Sequence, residues 1–283
     1  MVAISRKLER HGSRNVGRKS MIRKLYALIQ TRLLRSKIRK AQEATKNFSL
    51  VKFMAQQGEP TRKSVGDPRQ FPGIDTRIAD FKTQIQAYAK SVGASKTNQK
   101  AVVISFGDSL MDFMRGDCIN IDDRLNFGIA GSCSPHMKYV AEQVKDELAY
   151  HGLIVRAIVA GCFKGNALLG HQDYEAAEAD CTSALDTMRA QWPGARLIVY
   201  GLPPVWDVYA MIYQDTSRKL FMAWVAHDPD AVYLDILARF AGPWGLFPTV
   251  EDSLEGVHMT PAAKVEFDNM ITEALVCDSG VTI

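Results

Sequence analysis

The chain has 283 residues, 47% of them apolar, and a formal net charge of +4 from 35 Lys and Arg against 31 Asp and Glu. That composition easily supplies a core of one domain, since single cores of roughly 150 to 250 residues are common. No apolar run approaches the roughly 18 residues that cross a bilayer, and no apolar segment near the N-terminus leads to a small-residue cleavage site, so neither a membrane span nor a Sec-type export signal is expected.

The five cysteines, Cys118, Cys133, Cys162, Cys181 and Cys277, are odd in number and form no CxxC pair, so reduced thiols and a cytoplasmic-type compartment are expected. The small net charge hides an asymmetry. Residues 1–70 carry 18 Lys or Arg against 4 Asp or Glu, a balance of +14, and residues 71–283 carry −10. A basic arm joined to an acidic body follows.

In chain order, Ser5 to Ser20 is polar, and the stretch from Met21 is periodic. Ile22, Leu25, Tyr26, Ile29, Leu33 and Ile38 fall near one face of a helix, with Arg23, Lys24, Arg32, Arg35, Arg39 and Lys40 filling most of the rest. Such a basic amphipathic helix can dock on its own body, on another subunit, on an anionic membrane or on nucleic acid. Residues 55–73 collect three prolines and three glycines and read as a linker. Asp75 can then cap a helix with Ile78, Phe81, Ile85 and Tyr88 on one face. The division is residues 1–73 as arm and linker, 74–99 as a connecting helix, and 100–283 as the main domain.

From Ala101 the pattern alternates strand and helix. "AVVISF" is a β-branched run of the kind buried on both faces. A short strand is expected before "NFGIAG". Ser134 as N-cap, Pro135 in the first turn and Gly152 as the stop mark a helix between them. "LIVRAIVAG" and "RLIVYG" are further strands, residues 172–192 and about 206–226 further helices, and "AVYLDI" a short strand. Thr260 and Pro261 open a C-terminal helix carrying Val265, Phe267, Met270, Ile271 and Leu275. The alternation predicts an α/β fold, a three-layer α/β/α sandwich on a mostly parallel sheet, with chemistry at the carboxyl ends of the strands.

Ser109 follows the first of these strands by three residues, at that carboxyl edge. A serine hydroxyl attacks only when a base takes its proton, and His258 lies in a glycine-containing loop just before the last helix, with Glu255 three residues earlier. Gly128 and Gly131 in "NFGIAGSC" let backbone N–H groups approach a substrate, and Asn166 in "AGCFKGNALLG" offers a side-chain amide donor. His136, His151, His171 and His227 are scattered as surface or helix-end residues without metal-ligand spacing, and no glycine-rich loop matches a nucleotide fingerprint. Neither a metal nor a cofactor is expected. Trp206, Trp224 and Trp244 with Phe240 and Phe247 either wall a substrate groove or pack the core. Residues 239–258 are expected to form a wall or lid of the site.

Four blocks in this order, "GDSL" at 107–110, "NFGIAG" at 126–131, "GN" at 165–166 and "EGVH" at 255–258, resemble the SGNH, or GDSL-type, hydrolase family over about residues 100–278. The resemblance implies a serine esterase without cofactor. It makes Ser109 the nucleophile and first oxyanion donor, Gly131 and Asn166 the second and third donors, His258 the base and Glu255 its carboxylate partner. It also implies a small-molecule or carbohydrate ester substrate, acetyl groups among them. Two departures stand out. Ala167 occupies the place where the family has Asp, and Glu255 stands where Asp is usual, which leaves Asp252 as an alternative carboxylate. These departures and the +14 arm motivate a second expectation: a structural or assembly protein, for example of a virus particle, that uses the hydrolase fold as scaffold and the arm for binding. An esterase recruited to anionic membranes by its arm is a third.

Overall fold

The β-branched run of residues 100–106 forms the strand on which the rest of the chain is built. The computed structural model describes residues 66–114, 124–161, 174–204, 208–241 and 258–276; residues 1–65, which include most of the basic arm, lie outside them. The strands are β1 (Lys100–Phe106), β2 (Arg124–Asn126), β3 (Leu153–Gly161), β4 (Arg196–Tyr200) and β5 (Ala231–Leu234). They form one all-parallel sheet in the order β2-β1-β3-β4-β5. The helices are α1 (Ile74–Ser91), α2 (Ser109–Asp112), α3 (Ser134–Tyr150), α4 (Tyr174–Gln191), α5 (Val208–Ala226), α6 (Ile236–Phe240) and α7 (Pro261–Val276).

Alternation along each strand sends side chains to two separate cores. Val102, Ile104 and Phe106 of β1 join Phe81 and Ile85 of α1, Val140 and Val144 of α3, Leu185 of α4 and Phe221 of α5. Val103 faces the other way, into a core with Val159, Ile198, Val232 and the α7 residues Phe267, Met270 and Ile271. Both faces of the sheet are thus covered by helices, which is why its strands read as continuous apolar runs. The three-layer α/β/α sandwich is as the sequence predicts.

Local details differ from the sequence expectation in ways that have simple causes. Asp75 does not cap α1: Gly73, with φ +74, precedes Ile74 as the cap, and its carbonyl accepts from Arg77 N–H at 3.0 Å, so the helix starts two residues earlier. Ser134 is the first residue of α3 rather than its cap. Cys133 takes that place, and its N–H donates to His136 Nδ1 at 2.9 Å. His136 is accordingly buried rather than on the surface. α6 was not expected: Asp235 turns the end of β5 into a helix start by accepting from Ala238 N–H at 3.1 Å. Val265 lies on the outer side of α7, 47% exposed. Thr260 caps α7 as expected, its Oγ1 accepting from Ala263 N–H at 3.2 Å. Among the described residues, no helix is long and apolar enough to cross a membrane.

Candidate active site

β1 delivers the chain at the carboxyl edge of the sheet, and two features then present Ser109. Gly107 fits only without a side chain, because a Cβ there would meet Tyr200 Oη at 2.5 Å and Met111 Cβ at 2.7 Å. Asp108, buried and non-helical, caps the next turn by accepting from Leu110 N–H at 3.0 Å. Ser109 therefore opens α2, and its own N–H belongs to the first turn, where an α-helix has no internal acceptor.

His258 reaches this serine from a different part of the chain. Its Nε2 lies 3.1 Å from Ser109 Oγ although 149 residues separate them. α7 places it there, since Pro261 and the Thr260 cap start that helix immediately after the histidine. Phe113, at the end of α2, rests against the His258 ring with centroids 4.9 Å apart, and 43% of it remains exposed. Lys264 of α7 donates to the Phe113 carbonyl at 2.9 Å, which ties the two helices across the site.

The loop after β2 runs beside the end of β1 and packs on α2. Phe127 N–H donates to Ser105 O (2.8 Å) and Ile129 N–H to Gly107 O (2.9 Å), so the chain stays paired with β1 beyond the formal strand. The Phe127 ring anchors it between Phe81 and Phe106, at centroid distances of 5.2 and 5.5 Å. It then turns at Ile129 to Ser132: Ser132 N–H donates to Ile129 O at 3.1 Å, and Gly131 has φ +80. This is a type II turn, which needs a left-handed third residue and favours glycine there. The Gly131 N–H sits on the central peptide and takes no part in the bond that closes the turn. Gly128 behaves differently from the sequence expectation. Its N–H donates to Asn126 Oδ1 at 2.9 Å, and a Cβ on it would lie 2.5 Å from Asp112 N, so it serves close packing on α2.

Of the predicted residues, Ser109 and His258 are brought together and Gly131 ends the adjoining loop. Asn166, Glu255 and Asp252 lie outside the described residues, as do Trp206, Trp244, Phe247 and most of the predicted lid. Trp224 and Phe240 pack in the body; Trp224 Nε1 donates to Asp186 at 2.9 Å. Cys133 and Cys181 are buried thiols; burial pushes the Cys133 thiol up to about 12, so it stays protonated at neutral pH. Among the described residues, no group of three His, Cys, Asp or Glu gathers as a metal site. Sequence reading missed Phe113, Lys264, Arg77 and Asp112, each an ordinary surface-type or helix-end residue until the fold brings it to the serine.

Known structures match this architecture closely in extent and distantly in sequence. A Streptococcus pneumonia protein provisionally described as a platelet activating factor superposes with a TM-score of 0.52 at 12% identity, covering 71% of this chain and 94% of its own. A Bacteroides fragilis protein provisionally described as an acylhydrolase gives 0.50 at 16% identity, covering 67% and 94%. The fold is that of the SGNH, or GDSL-type, hydrolases. No family model and no curated protein matches the sequence. At such identities the match concerns the SGNH fold alone.

Proposed function

We propose that this protein is a serine ester hydrolase that works through an acyl-enzyme on Ser109. The observation that carries the reading is the 3.1 Å approach of His258 Nε2 to Ser109 Oγ at the carboxyl edge of the sheet. His258 takes the hydroxyl proton as Oγ attacks the ester carbonyl. The developing oxyanion is met by the N–H groups of Ser109 and Gly131 and by the Asn166 side chain. The tetrahedral adduct collapses and expels the alcohol, which leaves with the proton held on His258. Water then donates a proton to His258 and attacks the acyl-enzyme, and in the second collapse His258 returns that proton to Ser109 Oγ as the acid leaves. Glu255, or Asp252 in its place, orients the histidine. Esters of small acyl groups are the proposed substrates, including acetyl on a carbohydrate. Phe113, exposed beside His258, gives them an aromatic wall.

The test is p-nitrophenyl acetate turnover. Ser109→Ala and His258→Ala are expected to lower kcat by at least about 10³-fold with little change in melting temperature, because removing a member of such a unit disables the whole. Residual turnover near wild type in both variants contradicts the reading.

The +14 balance of the first 70 residues supports a second reading, in which the arm's binding to a protein or other anionic partner in a larger assembly is the main task. Ser109→Ala separates the two, because an assembly protein keeps its function with that change and an esterase does not.

A further inference from the structure

We infer that Arg77 and Asp112 are positioning residues that hold the Gly131 turn against the Ser109 helix; the inference rests on the esterase reading above. Arg77 belongs to α1, which precedes the sheet and carries none of the family-like blocks. Its Nη2 donates to Asp112 Oδ1 at 2.6 Å and to the Gly128 carbonyl at 3.2 Å. Asp112 stands three residues after Ser109 on α2, and its second oxygen, Oδ2, accepts the Ala130 N–H at 3.0 Å. One carboxylate therefore joins three pieces: the helix that starts at Ser109, the guanidinium from α1, and the residue immediately before Gly131.

The consequence is directional. The Ala130 N–H fixes the peptide preceding the central peptide of the turn, and the Ile129 to Ser132 bond fixes the one after it. The plane between them, which carries the Gly131 N–H, is thus held at both ends. Asn126 reinforces the same joint, because its Nδ2 donates to Met111 O at 2.7 Å while its Oδ1 accepts from Gly128 N–H. The Arg77–Asp112 pair is only partly exposed, at 31% and 17% for the two side chains, so solvent screens it less than a fully exposed pair. A donor that must meet charge developing only in the transition state has to be held before the reaction begins. The pair supplies that hold without touching substrate.

The experiment is steady-state kinetics on p-nitrophenyl acetate for the full chain, with Arg77→Ala, Arg77→Lys, Asp112→Ala and the double alanine variant. Arg69→Ala serves as control, since that side chain is exposed and pairs with Asp67 at the surface. Loosening one oxyanion donor short of removing it is expected to lower kcat by about 10- to 100-fold with KM little changed, because the loss falls on the transition state. Arg77→Lys keeps the charge but not the fork and falls between wild type and Arg77→Ala. The double variant is expected to be no slower than the slower single one, as for two residues acting as a unit. Amide exchange supplies a readout independent of chemistry: Arg77→Ala speeds exchange at Ala130 while β1 and β3 stay protected. An active wild type whose Arg77→Ala and Asp112→Ala variants keep kcat, or lose melting temperature with kcat per folded molecule unchanged, overturns the positioning role alone. A folded wild type that neither turns over nor reacts with a fluorophosphonate refutes the esterase reading and the positioning role with it.

Discussion

Ser109 owes its position to small neighbours as much as to its own chemistry. Gly128 is the sharpest case, because a methyl group there would lie 2.5 Å from Asp112 N and 2.8 Å from the Met111 carbonyl carbon, both backbone atoms that cannot move aside. Gly128→Ala is expected to cost about 1 to 3 kcal/mol in a denaturant titration and to lower turnover of the remaining folded protein, through the displaced loop. His136 gives a residue-scale prediction of another kind. Burial pushes its pKa from the usual 6.5 down to about 4, and its Nδ1 accepts the Cys133 N–H, which requires the unprotonated nitrogen. The folded value lies below the unfolded one, so the unfolded chain takes up the extra proton as pH falls from about 6.5 towards 4, and stability is lost across that window. The loss attributable to this group reaches about 2 to 3 kcal/mol near the lower end. Replacing it by Asn, whose side-chain oxygen can accept the same bond, flattens that part of the stability profile. Parallel profiles for wild type and His136→Asn contradict the assignment. None of this was legible beforehand: a histidine three residues after Cys133 looks like a helix-end surface residue, and only the fold shows that Phe71 covers it, at a ring distance of 4.5 Å.

At the scale of elements, the join that matters most runs from β2 to α7, because these two support the Gly131 turn and His258 respectively. Arg124 Nη1 donates to Asp268 Oδ1 at 2.9 Å with both side chains at 0% exposure, and Arg124 Nη2 reaches Met111 Sδ of α2 at 3.6 Å. Burial pulls the arginine below its ordinary pKa, and the aspartate opposes this. Asp268→Ala leaves a cation buried without its partner and is expected to cost about 3 to 5 kcal/mol in denaturant unfolding, whereas Arg124→Met with Asp268→Leu costs much less. Equal losses in the single and double variants contradict that account. The elements themselves were largely legible. The run Lys100–Phe106, the Thr260–Pro261 start and Gly152 at φ +73 each carry a local signal strong enough to survive folding. α6 is five residues long, too short for a 3.6-residue period to show, and its start depends on Asp235 after β5. The long-range ties were invisible for a different reason. Arg77 lies 35 residues from Asp112, and on a helix an arginine reads as part of the solvated face.

For the whole molecule, charge and the candidate site divide along the chain. The first 70 residues hold +14, and the remainder is acidic. The full chain is expected to be retained on heparin at low salt and released as salt rises, while a variant lacking residues 1–65 passes through and keeps its p-nitrophenyl acetate kcat within about twofold. Retention of the truncated chain contradicts the charge division, and loss of its turnover contradicts the placement of the chemistry in the sheet domain. The site as a whole was half legible: Ser109, His258 and Gly131 follow from strand ends and loop glycines, but the 3.1 Å approach across 149 residues is a property of the fold alone. The most direct test of that approach is mass-spectrometric mapping of a fluorophosphonate adduct on wild type and on His258→Ala at neutral pH. Rapid modification confined to Ser109 in wild type, slowed by at least about 10³-fold without His258, is the expected result. A wild type that stays unmodified while fully folded, or is modified at the same rate without the histidine, contradicts the claim that this pair makes an activated nucleophile.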